Sequence, residues 1–160
     1  MLPEFTADAV SAISSTANYK LGYKVAVKDS TGTKIYTYVK NGAGADLKVG
    51  QGTMIKDGSA TWDVAVSTTA ASFARFVGVA QTYTNAGVSS LFLDGYYGFV
   101  LASGYGRVLG IAAGVAANSS LKCVAAGEFD AGTIGTNDLV AFNSVALAAG
   151  TTAGSAYIKP

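Results

Sequence analysis

Apolar and polar positions alternate most sharply between Leu21 and Lys40. In LGYKVAVK the odd positions Leu21, Tyr23, Val25 and Val27 are apolar, while Lys20, Lys24 and Lys28 share the other face. Asp29-Ser-Thr-Gly32 then supplies a turn, since Asp and Gly accept the backbone angles of a tight reversal. The returning TKIYTYVK sets Ile35, Thr37 and Val39 against Lys34, Tyr36, Tyr38 and Lys40. The pattern predicts a β-hairpin with one dry face and one face of lysine and tyrosine. Two readings fit the second face: a contact for an acidic protein surface or a glycan, or lysines that keep an edge hairpin from pairing with strangers.

A second patterned stretch runs from Arg75 to Ile111 and predicts four short strands, Phe76 to Gln81, Val88 to Leu93, Tyr96 to Ser103 and Arg107 to Ile111. Asn85-Ala-Gly87 and Asp94-Gly95 mark turns between them. Nearly every position from Tyr96 to Ser103 is apolar or small, which suits a central strand covered on both faces. Between the two stretches, Asn41 to Gly44 reads as a loop, and Thr53 to Lys56 and Trp62 to Val66 as strands about an Asp57-Gly58 turn. Trp62 shares a face with Val64 and Val66 and is expected in the core. Ala-Ala-Gly closes three later strand candidates, at Ala112 to Gly114, Ala125 to Gly127 and Ala148 to Gly150, and Ser155 to Lys159 is the last strand. Short strands with turn signals about every 8 to 12 residues predict an all-β single domain, a small barrel or sandwich of antiparallel strands.

The first residues differ. Phe5, Ala9 and Ile13 recur at i, i+4 spacing with Val10 beside them, which predicts a short helix begun at Thr6 or an extended arm. Either is marginal alone at this length and must be held by packing. The expected organisation is an N-terminal arm over residues 1–19 and a β domain over 20–160.

Composition narrows the function. Charged residues make up 13% of the chain and nine residues are tyrosine. An average soluble protein carries about 25% charge, and interface cores are depleted in charge and enriched in tyrosine. Much of the surface is therefore expected to face another protein. Eleven basic residues balance ten acidic ones with no basic cluster, which argues against nucleic acid. No run approaches the roughly 18 apolar residues of a membrane helix, and MLPEFTADAV does not read as a secretory signal, so the expected product is soluble and made in a cytoplasm.

Candidate chemistry is sparse. The sequence has no histidine, which removes Ser-His-Asp and Cys-His catalysis and imidazole metal ligation. Cys123, the single cysteine, reads as a packed thiol. Asp29, Asp57 and Asp94 sit at turns, and Glu128 with Asp130 is too small a set for a calcium or magnesium cage. Gly104 to Gly110 has the spacing G-x-G-x-x-x-G between strands and reads as a turn rather than a nucleotide loop. Asn118-Ser-Ser120 fits a glycosylation sequon without any sign of secretion. No catalytic, cofactor or metal residue is assigned, and an enzyme is not expected.

The segments KIYTYVKNGAGADLKVGQGTMI, RFVGVAQTYTNAG, GYYGFVLASGYGRVLGIAAGV and AYIKP follow one another in an order that resembles the small capsid decoration, or cement, proteins of tailed bacteriophages. The resemblance covers Thr33 to Pro160. It implies a virion protein on the outside of the phage head, bound to the major capsid protein, made in the host cytoplasm, often a symmetric oligomer such as a trimer or dimer, and without a catalytic site or cofactor. The docking residues expected from the arm and hairpin are Phe5, Val10, Ile13, Lys24, Lys28, Tyr36 and Tyr38. Two alternatives stay open: a tail or head-fibre component, and a carbohydrate-binding module in which Tyr96, Tyr97, Tyr105 and Trp62 form an exposed stacking platform.

Overall fold

The turn after Asp29 decides how the first hairpin faces the core. In the computed structural model, which describes residues 1–56, 62–66, 76–84, 90–133, 139–143, 145–148 and 153–158, β1 (Lys24–Asp29) and β2 (Gly32–Asn41) are antiparallel, with Asp29 opposite Gly32. Only Ser30 and Thr31 lie between them. Asp29 Oδ1 accepts the Thr31 N–H at 2.8 Å and its hydroxyl at 2.6 Å, which fixes the turn. With a two-residue loop, odd residues of β1 stand across from even residues of β2: Val25 faces Tyr36 and Val27 faces Lys34. Cross-strand partners share a face. The expected dry face is therefore corrected in part: Thr37 and Val39 are buried as expected, but not on the side of Val25 and Val27. Val25 and Val27 share their buried side with Tyr36 and Tyr38, and the outward side carries Lys24, Lys28, Thr33 and Ile35.

Five strands close into a ring: β2, β4 (Asp63–Ala65), β3 (Gly52–Ile55), β5 (Phe76–Val79) and β6 (Tyr97–Val108), with β2 pairing β6 to shut it. The β2 and β4 pair is parallel, an exception to the expected antiparallel order. Each ring strand contributes to one apolar cluster, through Val39, Val64, Ile55, Val77 and Val100, and Leu47, Tyr83 and Phe92 join it from the loops. The Tyr83 hydroxyl donates to the Phe99 carbonyl at 2.8 Å, so this buried ring keeps a polar partner.

β6 extends the sheet onward through β10 (Gly154–Ile158), β9 (Ala141–Asn143), β7 (Ser119–Cys123) and β8 (Phe129–Ala131). This second half also bends back. Phe129 donates its N–H to Leu109 O at 2.8 Å and accepts that of Ile111 at 3.0 Å, so β8 meets the backbone just beyond β6. Its interior residues, Val108, Leu121, Phe129, Ala141 and Ile158, belong to the larger core cluster, which continues to Phe99, Tyr38 and Val25. The expected all-β barrel is what forms, and β6, paired to β2, β5 and β10, is the central strand.

Several boundaries differ from the sequence pattern. The strand expected to stop at Gly104 continues to Val108, because Gly104 takes φ +111° and stays in the ladder opposite Ile158. Phe92 makes only an isolated bridge, to Leu47. Trp62 is half-buried rather than central, its indole lying on Gly22. The Asp57-Gly58 and Asn85 to Gly87 turns, the 67–72 connection, part of the third Ala-Ala-Gly and the end of the last strand lie outside the described residues.

The N-terminal segment packs onto the barrel. Thr6 caps the five-residue helix α1 (Ala7–Ser11), its hydroxyl accepting from Ala9 at 3.3 Å, and Val10 is its buried residue. Before the helix, the Phe5 N–H donates to Ala26 O at 2.7 Å and the Ala26 N–H to Pro3 O at 2.8 Å, covering part of the open edge of β1. After it, Ser14 and Tyr97 exchange two backbone bonds at 3.0 and 2.8 Å.

Candidate docking surface

Six aromatic rings gather where the N-terminal segment crosses β1, β2 and β6. Tyr19 stacks on Tyr23 with centroids 5.7 Å apart and planes 8° from parallel. Phe5 meets Tyr19 edge-on at 5.6 Å and Phe99 at 5.9 Å, and Tyr38 lies 4.9 Å from Phe99 and 6.4 Å from Tyr97. Offset and edge contacts of this kind stabilise by roughly 0.5–1.5 kcal/mol each beyond area burial. The cluster is therefore graded: Phe99 and Tyr38 are buried, Phe5 and Tyr97 half-buried, and Tyr19 and Tyr23 reach the surface at 39% and 37% exposure.

Beside Tyr23 the outward side of β1 and β2 forms an open hollow of about 720 Å³, lined by Met1, Leu2, Pro3, Ala26 and Ile35. Lys28 stands at this hollow and pairs with Glu4 at 3.4 Å, a bond between exposed groups that contributes little. Lys20 and Lys24 are exposed, and no ion pair among the described residues involves either. The surface thus combines exposed apolar side chains, two tyrosine rings and exposed lysines. A smaller hollow of about 240 Å³ beneath α1 brings Val10, Val27 and Tyr36 together with the Asp29–Lys34 ion pair, 2.7 Å long. Lys34 and the two Thr31 bonds hold the Asp29 carboxyl down to about 2.

The residues expected to dock divide sharply. Lys24 and Lys28 are on this surface. Val10, Tyr36 and Tyr38 are corrected: they are buried in the chain's own core, because the hairpin parity and the packing of α1 turn them inward. Phe5 is half-buried in the aromatic cluster and Ile13 half-buried against the ring interior. The exposed Leu2, Tyr19 and Tyr23 went unassigned. Tyr19 and Tyr23 carried one signal, a pair of rings flanking the Lys20 to Gly22 turn. Of the stacking platform considered for a glycan, Trp62 and Tyr96 pack on the ring interior, Tyr97 packs on the larger core, and Tyr105 is on the second sheet.

Among the described residues no three His, Cys, Asp or Glu side chains come together. Burial pushes the Cys123 thiol up to about 12, so it is not a thiolate at neutral pH. No helix among the described residues is long and apolar enough to cross a membrane. No protein-family model matches the chain, and no curated protein matches it.

Proposed function

We propose that this chain is a structural virion protein that decorates the outside of a phage head, docking on the major capsid protein through the Tyr19–Tyr23 surface and stabilising the shell. The carrying observation is that stacked, exposed tyrosine pair, on a segment that also carries the exposed Lys20 and Lys24, in a chain of which only 13% is charged. Rigid rings supply apolar area at roughly 25 cal/mol per Å², and the lysines favour an acidic partner surface. Each interface is modest in area. Multivalent engagement across a shell, by a dimer or trimer of the chain, raises its effect without new contacts. The order of segments from Thr33 to Pro160, similar to that of cement proteins, supports the same reading.

The test is co-sedimentation of the purified protein with shells of the major capsid protein, coupled to quantitative mass spectrometry of virions. Saturable binding is expected at a simple ratio to the shell protein, weakened at least tenfold by Tyr23→Ala with Lys24→Glu and unchanged by Lys122→Glu. A few copies per virion would move the protein to the tail or a head fibre. Equal binding by the double variant would remove this surface from the proposal, and absence from virions would end it.

A further inference from the structure

Asn41 closes β2 and is followed by Gly42, and of the six asparagines in the chain it alone precedes glycine. It is fully buried. Its side-chain amide donates to Phe92 O at 2.8 Å and to Ala45 O at 3.0 Å, and its Oδ1 accepts the Ala43 N–H at 3.0 Å. Its backbone N–H donates to Tyr96 O and its carbonyl accepts the Gly95 N–H, each at 2.8 Å. Gly42 in turn donates its N–H to Val64 O in β4 at 2.9 Å, and its carbonyl accepts from the Lys56 ammonium at 2.8 Å. This one dipeptide therefore ties β2 to β4 and to the 92–96 segment. The glycine itself is not demanded by the fold: Gly42 takes no positive φ, and a Cβ added there would meet nothing nearer than Asp63 Cβ at 3.5 Å.

We infer that Asn41 is a modification site that folding closes: when β2 loses β4 and the 92–96 segment, Asn41 deamidates through Gly42, and the product cannot rebuild the barrel. In the open chain the Gly42 nitrogen gives its proton to solvent base and attacks Asn41 Cγ. The new C–N bond forms as the Cγ–Nδ2 bond breaks, and Nδ2 leaves as ammonia. Water then opens the five-membered imide at either carbonyl, leaving aspartate or isoaspartate, so only water is consumed. Glycine makes this attack easiest, because it has no β-carbon to crowd the nitrogen and the freest backbone. In the folded chain both reacting groups are held. The Gly42 N–H is bonded to Val64 O, and turning the Asn41 amide toward it would break the bonds to Phe92, Ala45 and Ala43. Conversion should therefore follow the fraction of chains in which this joint is open.

Neither product fits the site. Aspartate keeps one oxygen for the Ala43 N–H, but its other oxygen takes the place of Nδ2 and faces two acceptors, Phe92 O and Ala45 O. Ionised, it is a buried charge among carbonyls, and protonated, it has one O–H for two of them. Isoaspartate lengthens the backbone by one carbon between Asn41 and Gly42, which moves Gly42 off Val64 O and breaks the register of Lys40 with Asp63 and Asn41 with Val64. A single unfolding that lasts long enough thus removes the copy for good. The step is independent of the surface proposed to dock on a capsid.

The test holds the full chain in guanidinium chloride and in plain buffer at the same mildly alkaline pH, maps peptides by a method that separates aspartate from isoaspartate, and refolds each sample by dilution. In denaturant Asn41 is expected to convert ahead of every other asparagine, and in buffer at least a hundredfold more slowly. The refolded fraction, read by circular dichroism, should fall in step with conversion at Asn41. Gly42→Ala should slow conversion in denaturant at least tenfold and preserve the refolded yield after the same incubation, which separates deamidation from aggregation. Asn41→Asp, made directly, should fail to fold or melt far below the parent chain. Conversion in buffer as fast as in denaturant, a refolded yield that does not follow conversion, or a native Asn41→Asp variant with an unchanged melting temperature overturns the inference.

Discussion

The Tyr38 hydroxyl accepts the backbone N–H of Asn18 at 3.0 Å, so a side chain of the barrel core holds the N-terminal segment just before it enters β1. The same ring touches Tyr19 edge-on at 5.2 Å. Tyr38→Phe keeps the ring and removes the acceptor, which leaves the amide to find water or go unpaired. A loss of about 1 kcal/mol is expected. Hydrogen exchange should show the loss as local, with the Asn18 amide and its neighbours exchanging faster while β6 amides keep their order of protection. A uniform loss across the sheet would mean that the segment and barrel unfold only together.

Gly52 sits where the two halves of the barrel meet. A Cβ added there would lie 2.6 Å from Cys123 Sγ and 3.1 Å from the Phe129 ring, both in the second sheet. Gly52→Ala is expected to destabilise by roughly 1–3 kcal/mol through overpacking. In a Cys123→Ala background the nearest obstacle is gone, so the same substitution should cost less. Denaturant melts of the four proteins give the coupling directly. Additive effects would show that the joint relaxes elsewhere.

Ala126 holds φ +60° and ψ +15°, the left-handed region that a β-carbon disfavours. It is tolerated because the turn over Ala125–Gly127 also places the Ala126 carbonyl for the Gln51 side chain, at 2.8 Å. That bond uses backbone only. Ala126→Gly should therefore relieve strain and keep the bond, raising stability by up to about 1 kcal/mol, with a higher melting temperature as the readout. A lower one would show that glycine's freedom in the unfolded chain outweighs the strain.

The all-β architecture and the central place of β6 were legible because strand alternation and glycine turns are local signals. The faces of the first hairpin were not. Alternation told which residues of each strand belong together, but the pairing between strands depends on loop length, and a loop of two residues joins Val25 to Tyr36 rather than to Ile35. Tyr36 and Tyr38 were consequently read as surface, and Tyr23, one end of the stacked pair, as core. Gly104 misled in the opposite way: glycine punctuates many turns, yet here it admits φ +111° inside a continuous strand.

Buried phenols set the alkaline limit of the fold. Burial pushes the Tyr36 hydroxyl from an ordinary 10.0 up to about 12, with the Asp29 carboxylate adding to the effect. Burial also raises Tyr83 and Tyr38, and it lifts the Cys123 thiol from 9.0 to about 12. In each case the folded chain holds a proton that the unfolded chain releases more readily. Their contribution is complete below the ordinary values and is lost as pH rises toward about 12, since between those limits the native state binds more protons. Unfolding is expected between pH about 10 and 12. Tyrosinate absorbance from Tyr36, Tyr38 and Tyr83 should appear together with the loss of circular dichroism. Tyr36→Phe removes one linked group and should move that loss to higher pH. If these three rings ionise near pH 10 while the dichroism stays native, they are reached by water without unfolding, and this account of the alkaline limit is wrong.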